Sequence, residues 1–187
     1  MLAMLEGISS TRISGELSYA VTLAAAVWVT YKQRSSAGAR VFGSPVSTRF
    51  IAGVNPMLTV ACVQFVLLLD MAFNWRWKLH DFLAGDAEAN NLYAGRRPVQ
   101  VLVLEILAVL LICAAGLLIF RLRHRPGVAI AMAGTLLSLG MWCTEVISYH
   151  NVDHILYHMV GSLMVVSFIW IALCCFTTLG VLIEGRR

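Results

Sequence analysis

Five apolar runs, separated by stretches rich in Arg, Pro and Gly, dominate this sequence. Four are long enough to cross a bilayer: residues 56–75, 98–120, 127–149 and 154–183. A weaker fifth, residues 13–31, is interrupted by Ser14, Gly15 and Glu16 and then runs unbroken from Ala20 to Val29. About 20 helical residues, each rising about 1.5 Å, traverse a hydrocarbon core. Five such spans take up roughly 100 of the 187 residues, leaving no room for a separate soluble catalytic domain. With 59% hydrophobic and 13% charged residues and a mean hydropathy of +0.80, the chain is too apolar for a water-soluble domain. The expected fold is all-α, a single bundle of five transmembrane helices forming one domain over residues 1–187.

Proline and glycine punctuate these runs. Pro56 and Pro98 stand at the predicted first turns of their helices, where a missing N–H costs nothing, and Pro126 with Gly127 separates the third run from the fourth. The segment Met1 to Leu5 has neither the basic region nor the cleavage site of a secretory signal, so the first run is expected to be a retained anchor. Cys62, Cys113, Cys143, Cys174 and Cys175 all fall inside apolar runs without CxxC spacing, and read as buried thiols. There is no internal repeat, phosphate-binding glycine loop or nucleophile elbow.

Charge sets the expected orientation. With five spans, Lys32, Arg34, Arg40, Arg49, Arg121, Arg123, Arg125, Arg186 and Arg187 share one side, nine of the fourteen basic residues. Arg12, Arg76, Lys78, Arg96 and Arg97 lie on the other side with Glu6, Asp81, Asp86, Glu88 and Asp153. Lys and Arg bias loops toward the cytoplasm, which puts the carboxy terminus inside and the amino terminus outside, in a membrane of the bacterial inner type. The net charge of +4 is thus a topology signal, and no nucleic-acid partner is expected. The partners expected are membrane lipids and other membrane subunits.

Polar residues gather toward the outer side. Trp75, Arg76, Trp77 and Lys78 open a linker of about 24 residues and read as an interfacial belt with snorkelling charges. Asp86, Glu88, Asn90 and Asn91 read as surface loop, and Tyr93, Arg96, Arg97 and Gln100 as a polar mouth to the next span. Asp70, Glu105 and Glu145 lie inside spans at similar depth. Because a carboxylate in hydrocarbon costs roughly 3 kcal/mol or more, all three are expected to face the bundle interior, and with His150 they form the predicted intramembrane polar cluster.

Histidines sharpen the pattern near the last turn. His154 and His158 are spaced i,i+4, as two metal ligands on one helix face would be, with Glu145 and Asp153 nearby. Asp153 is placed to cap the fifth helix, and His150 to end the fourth. Glu145, Asp153, His154 and His158 would be the ligands of a metal such as zinc; the alternatives are that the histidines are interfacial polar residues with a structural role, or ligands of a haem or pigment. The HExxH glutamate is missing, since Ile155 occupies its position. Three functional classes follow: a non-enzymatic subunit or accessory protein of a larger membrane assembly, a metal-dependent intramembrane hydrolase acting on a lipid or lipid-linked substrate, and a haem- or pigment-binding redox subunit. An ion or proton path through the three acids is a fourth. Ala114, Ala115, Gly116, Ala131, Ala133, Gly134 and Gly140 permit close helix approach.

Overall fold

A computed structural model describes residues 2–40, 55–90 and 95–187; Arg49, Asn91 and Tyr93 lie outside the described residues. The described residues form seven helices and one short hairpin: α1 (Leu2–Arg40), α2 (Pro56–Phe73), α3 (Trp75–Ala89), α4 (Arg96–Arg121), α5 (Pro126–Ile147), α6 (His150–Leu156), β1 (Met159–Val160), β2 (Leu163–Met164) and α7 (Val165–Gly185). Five are long and apolar enough to cross a membrane: α1 over Ser10–Ser35, α2, α4, α5 and α7. These correspond to the five apolar runs.

Local chemistry sets the helix ends. The Asn55 side chain accepts from the Met57 amide at 2.9 Å, capping α2, and Pro56 and Pro126 occupy the first turns of α2 and α5. Asn74 (φ 59°) and Ser148 (φ 49°) stop α2 and α5 in the left-handed region, each returning its N–H to the last turn. Gly161 (φ 67°) makes the tight turn between the paired strands.

Three expectations need correction. The first helix is longer than residues 13–31, and its continuation through Arg40 absorbs the start of the predicted linker. The segment after Asn74 is helical as far as Ala89, so Asp86 and Glu88 lie on a helix and not in a loop. The last span begins at Val165 instead of at residue 154, because α6 and the hairpin intervene. His158 consequently lies beyond the end of α6, and the i,i+4 helical face with His154 is not formed.

Packing alternates the spans. α1 lies against α2 and α7, and α5 against α7, α2 and α4. One core cluster, including Ala26, Val29, Met57, Val128 and Val181, fills the end where α2 and α5 begin. A second, including Tyr19, Leu67, Met71, Leu156, Val166 and Trp170, fills the opposite end. The α5/α7 contact is backbone-close: a Cβ at Gly180 would meet the Ala131 amide and the Gly127 carbonyl. Ala131, Ala133 and Gly134 are buried as expected, whereas nothing lies within 4 Å of a Cβ at Gly116. Of the cysteines, all free, only Cys174 is buried; Cys143 is half-buried, and Cys62, Cys113 and Cys175 are exposed, contrary to their expected burial.

Candidate functional site

The polar centre is assembled where α2 breaks into α3. Asp70 sits in the last turn of α2, and the left-handed Asn74 turns the chain sharply enough for Arg76 to fold back on it. Asp70 Oδ1 accepts the Arg76 backbone amide at 2.8 Å, and Oδ2 accepts Nε at 2.7 Å. The first of these bonds satisfies an amide in the opening turn of α3 that has no partner within its own helix. Arg76 Nη2 lies 2.6 Å from Oδ2 as an ion contact, without the alignment of a hydrogen bond.

From α5, Glu145 completes the pairing: its Oε2 accepts from Arg76 Nη1 at 2.5 Å, and its Oε1 from Trp170 Nε1 of α7 at 2.9 Å. The guanidinium also stands over the Trp170 ring, 5.2 Å from its centroid. Asp70, Arg76, Glu145 and Trp170 are 2–5% exposed. Burial works to lower the Arg76 pKa, but Glu145 and then Asp70 outweigh it and hold the guanidinium above its ordinary value. Four elements are thereby joined through one cation.

A partly open cavity of about 390 Å³ adjoins this cluster at the end of the bundle. Arg76 and Glu145 line it on one side, Thr11 and Arg12 of α1 on another, and Trp77 and Tyr157 face it from α3 and the end of α6. Arg12 is committed to neighbours: Nε donates to Glu16 at 3.0 Å and Nη2 to the Ala72 carbonyl. Tyr157 packs against Trp77 with centroids 5.5 Å apart, and its hydroxyl is buried with no hydrogen-bond partner among the described residues. Burial, reinforced by Glu145, raises the Tyr157 pKa.

The predicted polar residues are thus divided. Asp70 and Glu145 share one interior cluster, but Glu105 is exposed on α4, a helix with no buried residue. The expectation that all three acids face inward fails for Glu105 because α4 packs chiefly on α5 and leaves the rest of its circumference open. His150, His154 and His158 are exposed. Asp153 lies inside α6 and does not cap the last span; its Oδ2 accepts from Ser148 Oγ at 2.5 Å. Among the described residues, no three His, Cys, Asp or Glu side chains come together so as to hold a metal ion.

Sequence reasoning missed Arg76, read as a snorkelling belt residue, and Trp170. The available signal was Asn74, a turn former four residues after Asp70. Trp75 and Lys78 are exposed, as belt residues would be. No protein-family model, curated protein or solved structure matches the chain.

Proposed function

We propose that the chain is a non-enzymatic, multi-pass subunit of a heteromeric membrane assembly in a bacterial inner membrane, and that α4 is the helix through which it docks. Glu105 carries this reading. It is exposed on α4, which among the described residues is the only one of five span-length helices with no buried residue, about 14 Å along the axis from Arg96. Left facing lipid, an ionised carboxylate at that depth costs roughly 2.5–3.5 kcal/mol. A donor on a neighbouring helix removes that cost.

A second copy is a poor source of such a donor. Every Lys and Arg in the five spans of this chain lies near a span end, so a like helix brings only another carboxylate to the depth of Glu105. Charge complementarity favours a spanning helix of a different polypeptide, with a basic residue facing Glu105. The nine-to-five split of basic residues supports an orientation with the carboxy terminus in the cytoplasm.

Photo-crosslinking in native membranes tests the docking. A photoreactive side chain at Val109, which is 58% exposed, is expected to capture another membrane polypeptide, whereas one at Leu111, which faces Gly140 of α5, is not. Glu105→Leu should abolish the adduct without lowering the melting temperature of the isolated chain. An adduct only with a second copy, or one indifferent to Glu105→Leu, refutes the reading.

A further inference from the structure

The cavity beside Arg76 has a charge pattern that the ion cluster leaves unbalanced. Asp70 and Glu145 bring two carboxyl groups and Arg76 one guanidinium, all within residues 2–3% exposed. Arg12 at the rim forms an ion pair with Glu16 and adds no net charge. With both carboxyl groups ionised, one negative charge is in excess, in surroundings where an unpaired charge is expensive.

Hydrogen bonding points the same way. Arg76 Nε and Nη1, Arg12 Nε and Nη2, and Trp170 Nε1 all donate to protein acceptors, and Arg76 Nη2 is held in ion contact with Asp70. An anion entering the cavity would compete with carboxylates already in place. Besides Arg76 Nη2, which makes no hydrogen bond but lies in ion contact with Asp70, the lining holds acceptors: the Glu145 carboxyl group, and the Tyr157 hydroxyl, buried without a hydrogen-bond partner among the described residues. Trp77 and Tyr157 add ring faces that attract cations, and Met71 and Met164 add polarizable apolar surface.

We infer that this cavity binds a protonated amine, with its ammonium group between Glu145 and the Tyr157 hydroxyl and its carbon skeleton against Trp77 and the two methionines. The amine belongs either to the head group of an ethanolamine lipid or to a small free amine. A quaternary ammonium, lacking N–H donors, leaves the Tyr157 oxygen unsatisfied and binds more weakly.

The test is a titration of the purified full chain in neutral detergent with ethanolamine hydrochloride, followed by tryptophan fluorescence and melting temperature. Choline chloride, sodium chloride and sodium phosphate serve as controls at equal ionic strength. A saturable response and a rising melting temperature are expected with ethanolamine and not with sodium chloride, and choline should need at least a tenfold higher concentration. Tyr157→Phe removes an unsatisfied hydroxyl, so the unliganded variant should melt no lower than wild type while its ethanolamine affinity falls about tenfold. Trp77→Leu should weaken binding independently. In nanodiscs, loss of the ethanolamine response on adding phosphatidylethanolamine to phosphatidylglycerol identifies the lipid as the source, and an unchanged response identifies a free amine. Absence of a saturable ethanolamine response in detergent overturns the inference, as does equal affinity for choline or saturable binding of phosphate that depends on Tyr157.

Discussion

Arg76 grips Asp70 twice, once through its backbone amide and once through its guanidinium, although the two residues belong to different helices. Six positions apart, they would not share a face of one straight helix. The left-handed Asn74 makes the contact possible, and the same reversal carries the rest of the guanidinium across to Glu145. The cluster therefore ties the α2/α3 break to α5 and α7, which fixes both the end of the bundle and the wall of its cavity.

Arg76→Ala should be among the most destabilising single changes in the chain. It leaves Asp70 and Glu145 buried, close together and without their cation, and breaking a buried pair in this way costs about 3–5 kcal/mol. Thermal unfolding in mild detergent should show a fall in melting temperature of several degrees or more. A double-mutant cycle of Arg76→Gln with Asp70→Asn should show coupling above about 1 kcal/mol; simple additivity would contradict the geometry.

Gly180 and Gly116 should respond oppositely to alanine. At Gly180 a Cβ collides with backbone atoms of Gly127 and Ala131, which cannot move without parting α5 from α7. Overpacking of this kind costs roughly 1–3 kcal/mol. At Gly116 the space is open, and better helix propensity makes alanine neutral or stabilising by up to about 1 kcal/mol. Melting temperatures of the two variants check this directly; equal losses would place α4 differently.

The five long apolar helices were legible because apolar length alone identifies a helix that can cross a bilayer. Asp70 and Glu145 were legible as interior groups for the same reason, since their cost in hydrocarbon demands a partner. Their partner was not. Arg76 follows Trp75 at a span end, where belt residues and a folded-back guanidinium look alike in sequence. Nor was the start of the last span legible. Ile155, Leu156, Met159, Val160, Leu163 and Met164 keep the segment apolar, although it forms a short helix and a hairpin turning at Gly161. Glu105 shows the limit most clearly, because its direction depends on which side of α4 finds α5.

Orientation is open to cysteine labelling. In a cysteine-free background, single cysteines replacing Arg123 and Arg186 should react only from the cytoplasmic side, and those replacing Asp86 and His150 only from the outside. All four are exposed, so failure to react would not arise from burial. Labelling of position 86 from the cytoplasm would reverse the assignment drawn from the basic residues.

The exposed histidines should be tolerant. His154 and His158 are not gathered with a third ligand among the described residues, and surface substitutions of this kind usually shift stability by no more than about 0.5 kcal/mol. His154→Ala with His158→Ala should therefore melt like wild type, both with and without a chelator. A chelator-sensitive melting temperature that disappears in the double variant would restore a metal to this turn.

Alkaline pH should loosen the end of the bundle through Tyr157. Burial, with Glu145 and Asp153 nearby, raises its folded-state pKa above the ordinary phenol value near 10. The unfolded chain then loses its proton first as pH rises, so it binds fewer protons than the folded one and stability falls. The contribution is fully present below about pH 10 and is lost progressively above it. Tyr157→Phe has no proton to lose, and its melting temperature should decline less steeply than that of wild type between about pH 10 and 11. Parallel declines would mean that Tyr157 ionises as readily in the folded chain as in the unfolded one, and that its hydroxyl is not enclosed beside Trp77.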